Sequence, residues 1–456
     1  MSQLNTGEKL LRLFTEIKPG EGRTAWLMFT NVFLILMAYY FVKPIREGWI
    51  AISEVQGLSS VEVKAYSSFL QSIALLFIVG FYARLSDRWL KSELFTRTTL
   101  FCISNMLIFW LIQPNFFIEH LPYSGLAYYL WVGIFGVFVV AQFWTFCADL
   151  YADDDGKRLL PFIALGATSG AALGALSVEL LIEHKIVPTE WLLLVATIPL
   201  FLSIALMRCI DLNRTTASKK KPEKHAGLLA GVKLISANKL LLLAAIATLL
   251  TSWVNTNGEN LLFSVVEDYL SQQAQSLGVA SGSDTQHFVR DGTTSFYGSF
   301  YFWVNICATV LQAFVASRLL KFGGFAAVLL LMPVVSLISY SVIAFIPALL
   351  MVKIMKVADD ACDYSINNTA RQVLWLPISS STKFHCKPAI DTLYVRLGDG
   401  LAALTVALGI HWLALPWSKL MYFNIALTVA WLLISLLLLR AYKDALTIFE
   451  QRGSSI

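Results

Sequence analysis

The sequence predicts an all-α membrane protein of twelve spanning helices arranged as two six-helix bundles, and three observations carry that prediction. First, 57% of the 456 residues are hydrophobic, 13% aromatic and only 14% charged, far more apolar than the roughly half-apolar, quarter-charged average of soluble domains. Second, apolar segments long enough to cross the hydrocarbon, about 20 residues each, recur at 26–49, 66–84, 98–115, 124–148, 160–183, 190–208, 240–265, 296–318, 325–347, 350–376, 388–411 and 418–440. Third, 26 of the 35 Lys and Arg fall on the termini and alternate loops, at 1–25, 84–97, 149–158, 208–239, 317–322, 371–387 and 440–456. That bias puts both termini on the cytoplasmic side. The opposite side holds Lys64, Lys185, Arg290 and Lys419. The net charge of +5 is therefore a topology signal and does not point to nucleic acid.

Taken in order, residues 1–25 hold no apolar core of signal-peptide length and read as a cytoplasmic segment. The first span ends in YYFVKPIREGWI (39–50). Lys43 and Arg46 are three apart and Lys43 and Glu47 four apart, so the three share a helical face. Pro44 frees a carbonyl, which a spanning helix tolerates where neighbours or cavity water satisfy it. A charge at membrane depth costs at least about 2.5–3.5 kcal/mol, so this face is expected to line a pathway. The competing reading places Arg46, Glu47 and Trp49 at the outer interface with the cations snorkelling to headgroups.

Between the second and third spans, RLSDR (84–88) supplies Arg84, Asp87 and Arg88 as an expected conformational latch. Between the fourth and fifth, Asp153, Asp154 and Asp155 precede Lys157 and Arg158. Salt bridges that hold a cytoplasmic gate shut are the expected use, with cation coordination as the alternative. In GATSGAALGA the glycines 166, 170 and 174 recur every four residues, which suits close helix packing and not a phosphate loop, since no Lys-Ser or Lys-Thr follows. A basic linker at 209–239, containing KKKPEK (219–224), separates bundles at 26–208 and 240–442, and a tail follows at 443–456. Six plus six helices joined by a cytoplasmic loop is the plan of the major facilitator architecture, in which solute binds near the midplane and access alternates.

The seventh span carries SWVNTNGENLLF, with Asn255, Asn257, Gly258 and Glu259. Glu259 lies 19 residues past Leu240, as Arg46 lies 20 past Trp26, so the two are expected at similar depth. Glu259 then serves as partner to Arg46, as carrier of a coupling proton, or as a hydrogen-bonding residue at a helix break. A hydrophilic stretch at 271–298 gives an extracytoplasmic loop drawn at 268–295, rich in Ser, Gly and Gln and expected to be partly disordered. In the tenth span Lys353, Lys356, Asp360, Asp363, Asn367 and Arg371 follow one another at steps of 3, 4, 3, 4 and 4. This polar stripe calls for a wet cavity or polar packing, with an amphipathic surface helix as the competing account.

Two blocks carry a resemblance. FWTFCADLYADDDGKRLLPFIALGATSGAALG (143–174) and DYSINNTARQVLWLPISSSTKFHCKPAIDTLYVRLGD (363–399) are similar to the fourth-to-fifth-helix and tenth-to-eleventh-helix signatures of the ATP/ADP translocase family, the nucleotide transporters of plastids and intracellular bacteria. The resemblance implies that four charged positions handle nucleotide, falling by motif on Arg46, Asp155, Glu259 and Lys387. Asp391 and Arg396 of the second block join Arg84, Asp87, Arg88, Lys157 and Arg158 as candidate gating residues. KPIRE replaces the family's Arg-Asp-Thr-Lys-Asp, and Asp363 stands where the family has Lys.

The expected solute is a small organic anion, with nucleotide implied by the resemblance; Lys43, Arg46 and Lys387 supply positive charge, and Tyr39, Tyr40 or Phe143 offer rings for a base. The candidate solute-binding residues are Lys43, Arg46, Asp155, Asn255, Asn257, Glu259, Lys356, Asp360, Asp363, Asn367, Arg371 and Lys387. A carrier of another phosphorylated or carboxylated metabolite, and a non-transporting receptor, are the alternatives. No nucleophile–base pair, CxxC or metal-ligand spacing occurs, and the six His stand apart in sequence, so neither an enzyme nor a cofactor or metal is expected. The remaining expectations are a lipid bilayer as surroundings, a monomer, and residence in a bacterial inner membrane.

Overall fold

The computed structural model describes residues 18 and 20–453, apart from 54, 56, 87–90, 115, 118–120, 122, 152, 213–227 and 280–281. Asp87, Arg88 and the 219–224 cluster lie outside the described residues, as do the side chains of Arg84, Asp153, Asp154 and Lys157. Among the described residues every regular element is helical, the form in which a spanning segment satisfies its own backbone. The helices are α1 (Gly22–Ala51), α2 (Ser60–Ser86), α3 (Lys91–Ile112), α4 (Ser124–Leu150), α5 (Asp153–Glu183) and α6 (Leu192–Leu212). After a short α7 (Leu228–Ala237) come α8 (Lys239–Ser276), α9 (Ser283–Val310), α10 (Ser317–Phe345), α11 (Leu349–Cys362), α12 (Asn368–Val373), α13 (Ser380–Pro388), α14 (Val395–Val406) and α15 (Trp417–Gly453). Single π-helical segments join α9 to α10, α11 to α12 and α13 to α14.

Ten apolar helical stretches among the described residues are long enough to cross a membrane. One of these, Ser283–Phe345, is bent at Gly324, whose φ of 65° breaks the helix. Counting it as two, and adding the polar α11–α12, gives the twelve spans the sequence predicts. The protein is a multi-pass membrane protein.

The chain forms two compact units. The first is Met1–Val55, Phe77–Pro222 and Leu270–Ile306, and the second is Gln56–Leu76, Glu223–Tyr269 and Cys307–Ile456. The division therefore does not fall at the linker alone, since most of α2 belongs to the second unit and nearly all of α9 to the first.

Within the first unit α1 lies against α5, and the glycine stripe explains why. A β-carbon at Gly166, Gly170 or Gly174 would stand 2.6, 2.2 or 2.5 Å from the carbonyl oxygens of Phe29, Phe33 and Met37. Bare backbone is what lets the two helices touch. On another side Asn31 donates to the Ser203 carbonyl at 3.2 Å and accepts from its hydroxyl at 2.9 Å, a closed polar clamp in an apolar core. Trp49 is 1% exposed and packs on Tyr128 with ring centroids 4.2 Å apart, while Arg46 is 6% exposed. Arg46, Glu47 and Trp49 are therefore packed inside the protein and do not reach outward from it.

Of the hydrophilic stretch expected as a loop at 268–295, the residues up to Ser276 belong to helix α8 and those from Ser283 to helix α9. Arg290, expected on the outer surface, is 1% exposed and pairs with Glu190 and Asp291. Its polar neighbours hide a buried charge that the composition of the segment did not reveal. Lys64 is likewise 2% exposed, its ammonium 4.6 Å from the Phe263 ring centre. The helix also runs unbroken through Gly258, so no break occurs there. Gly258 instead permits close approach, because a β-carbon would lie 2.0 Å from the Tyr340 hydroxyl.

Candidate functional site: a polar cavity in the second unit

Thr248, Ser252, Asn255 and Glu259 succeed one another on α8 at steps of 4, 3 and 4, which places them on one face. Across from this face the chain runs from α11 through a π-helical turn, Asp363–Asn367, into α12. Such a bulge re-aims the residues it carries, and here Asp363, Asn367 and Arg371 meet the α8 face. Together they line a cavity of about 190 Å³, completed by Leu329 of α10 and by Trp431 and Ser435 of α15. Asn367 donates to the Asp363 carboxylate at 2.6 Å.

Of the twelve candidate binding residues, five meet here: Asn255, Glu259, Asp363, Asn367 and Arg371. The hydroxyls of Thr248, Thr251, Ser252 and Thr256 join them. Sequence reading missed these, although the α8 period matches the one that exposed the stripe on the tenth span. It also missed Asp399, which fixes the wall. Its carboxylate accepts from Ser252 at 2.8 Å and Thr256 at 2.9 Å, and from Ser72 and Arg396, each at 2.9 Å. Arg396, expected as a gate charge, thus helps tie α14 to α8 and α2.

The cationic side of the cavity is Arg371. Its guanidinium donates to Asp391 at 2.8 Å, and Lys387 lies 3.5 Å from the same carboxylate. Lys387 sits over Trp375, 5.7 Å from the ring centre, and does not line the cavity. The cavity thus holds two acids, Glu259 and Asp363, and one cation already engaged by a third acid.

The upper half of the stripe is closed. Lys356 is 1% exposed and bonded to Asp359 at 2.9 Å and Asp360 at 2.8 Å, while the Asp359 carboxylate also accepts from the Tyr340 hydroxyl at 3.1 Å and from the Ser336 hydroxyl at 2.5 Å. Lys356 and Asp360 therefore belong to a buried ion cluster, fully bonded as such clusters must be, and not to the cavity wall. The stripe is also not continuous, since the π-helical turn resets its register at Asp363. Asn257 faces away as well, donating to Asn424 at 3.4 Å.

In the first unit Arg46 bonds to its neighbour Glu47, with Nε 3.0 Å from the carboxylate, and stacks on Tyr129 at 4.2 Å. Lys43 differs. Its ammonium lies 3.9 Å from the Tyr301 ring centre and 5.3 Å from that of Tyr40, and no carboxylate pairs with it among the described residues. Phe143, offered as a base-stacking ring, is fully buried packing.

Asp155 stands at the start of α5 and accepts from Lys18 at 2.9 Å and from Arg158, which also holds Glu21 at 3.0 Å. This links the segment before α1 to α5. Hydrogen bonds from Lys18 and then Arg158 hold the Asp155 carboxyl below the usual carboxylate range. Asp155 is thus engaged in a surface latch together with Arg158.

No protein-family model matches the chain. It is 20% identical over 442 residues to ADP,ATP carrier protein 5 of Rickettsia felis, a match covering 82% of this chain and 84% of that protein. Among solved structures, the nucleoside transporter NupG superposes with a TM-score of 0.63 at 13% identity, covering 91% of this chain and 98% of NupG. The POT family transporter PepTSo superposes with a TM-score of 0.62 at 12% identity, covering 92% and 98%. The fold is therefore all-α, membrane-spanning and of the major facilitator type.

Proposed function

We propose that the protein is a secondary transporter that moves nucleotides across a membrane by alternating access, with ATP/ADP exchange or proton-linked uptake as its mode. The observation that carries the reading is a cavity lined by amides, hydroxyls, acids and an arginine within helices of spanning length, where polar side chains are costly unless they serve a solute or one another. Similarity to an ADP,ATP carrier over 82% of the chain supports nucleotide as the solute class. Asn255, Asn367 and the α8 hydroxyls would receive sugar hydroxyls and base edges, since each offers both donors and acceptors. Arg371 offers a planar fork to phosphate oxygens.

Glu259 and Asp363 in the same cavity repel a polyphosphate when ionised. Proton uptake on one of them together with the solute relieves that repulsion and favours the proton-linked mode. The same pair of acids favours a second reading, a carrier of a less highly charged phosphorylated or carboxylated metabolite.

Reconstitution into liposomes with labelled ATP, ADP and AMP tests this. Uptake that requires internal nucleotide selects exchange, and uptake driven by a pH gradient alone selects proton coupling. No uptake of any nucleotide under either condition overturns the nucleotide reading.

A further inference from the structure

The second unit carries a separate recess of about 350 Å³ whose chemistry is unlike that of the polar cavity. Its walls are Trp253 of α8, Leu401 and Leu404 of α14, Leu408 in the π-helical segment Ala407–Trp412, and Phe423 of α15, with Lys419 at its edge. The indole N–H of Trp253 is spent on the Thr405 hydroxyl at 2.9 Å, so the recess is an apolar slot. Leu404, Leu408 and Phe423 are 50%, 49% and 40% exposed, and the slot therefore opens on the surface of a helical segment long and apolar enough to span a membrane.

Its depth can be placed from the residues themselves. Trp412 is 78% exposed at the end of the π-helical segment, and Trp417 begins α15 two residues before Lys419. Exposed tryptophan and lysine at the ends of spanning helices mark the headgroup level. Leu404 lies eight residues before Trp412, about 12 Å along a helix, most of the way through one leaflet of a roughly 30 Å hydrocarbon core. Lys419 is exposed and pairs with no acid among the described residues. The turn at 413–416 is closed by Leu415, whose N–H donates to the Gly409 carbonyl at 2.8 Å, and this holds the slot and the lysine in fixed relation.

We propose that this slot is a phospholipid site, with one acyl chain lying along Leu404, Leu408 and Phe423 and the headgroup phosphate on the Lys419 ammonium. The charge is of the right sign, sits at the level of phosphate, and crowns a groove of acyl-chain character. The site needs no assumption about the transported solute.

The test uses the full-length protein in phosphatidylcholine vesicles containing a small fraction of phosphatidylglycerol that bears a photoactivatable diazirine on its acyl chain, with adducts mapped by peptide mass spectrometry. Cross-links are expected to concentrate on peptides carrying Leu404, Leu408 or Phe423. Lys419→Glu, a surface change, lowers them about fivefold or more, the scale of one lysine's contribution at an anionic membrane surface. Lys419→Arg keeps them. Leu408→Trp fills the slot and removes them while Lys419 remains. Labelling spread evenly over all exposed spans, or labelling of the slot that is unchanged by Lys419→Glu, overturns the proposal.

Discussion

Arg371 donates to Asp391 at 2.8 Å, so the single cation on the wall of the polar cavity is held by an acid that also attracts Lys387 at 3.5 Å. The pair is about one-third exposed on both sides, and such a partly solvated bridge is worth no more than about 1 kcal/mol. Asp391→Asn is expected to leave thermal stability nearly unchanged and to shift the KM for an anionic solute downward by up to about fivefold, because Arg371 is released toward the cavity. Initial uptake rates against solute concentration provide the check, and an unaltered KM with a large fall in melting temperature would assign the bridge a purely structural part.

Lys356 presents the opposite case. With Asp359 and Asp360 it forms a buried cluster, and removing its charge strands two acids. Lys356→Met is expected to destabilise the protein by about 3–5 kcal/mol, read as a large drop in the midpoint of fluorescence-monitored unfolding in detergent. A stable Lys356→Met protein with altered transport would return this lysine to the solute pathway.

Gly170 tests the packing of α1 on α5. Its missing β-carbon would fall 2.2 Å from the Phe33 carbonyl oxygen, and backbone cannot step aside cheaply. Gly170→Ala should cost about 1–3 kcal/mol through overpacking, and Gly170→Leu should prevent assembly. Monodispersity on size-exclusion chromatography distinguishes the two, and a well-behaved Gly170→Leu would mean that the helices separate easily.

The latch at Asp155 sets a pH expectation. Lys18 and Arg158 lower its carboxyl below the usual range. A group depressed in the folded state contributes its stabilisation above the unfolded value and loses it only as pH falls through the lower, folded value. The latch is therefore constant across neutral pH and weakens only in acid. Wild type and Asp155→Asn should give uptake profiles of the same shape between pH 6 and 8; a limb near neutrality that vanishes in Asp155→Asn would contradict this.

The sequence made the fold legible because each level agreed: spanning-length apolar runs, loop cations and a central linker all pointed to twelve helices. Part of the cavity was legible because Asp363, Asn367 and Arg371 recur at steps of four in the sequence, although the first two bound the π-helical turn that re-aims them. The α8 hydroxyls carried the same signal in weaker residues, so the acids and amides drew attention away from Thr248 and Ser252. What was illegible was long-range pairing. Nothing local says that Arg290 meets Glu190, 100 residues earlier, or that Asp399 collects Ser72 and Ser252. The polar composition of 271–298 suggested solvent for the same reason, because buried polar helices and exposed loops share a composition.

The central claim is that the second unit's polar cavity receives the transported solute. The direct measurement is the rate at which a single cysteine at Asn255→Cys, in membranes and in a background with the native cysteines replaced, reacts with a charged thiol reagent with and without the transported nucleotide. Saturating nucleotide is predicted to slow labelling at this position while leaving Asn257→Cys, which faces Asn424, unaffected. Equal labelling rates at Asn255→Cys with and without nucleotide, in a protein that still transports it, would contradict the account.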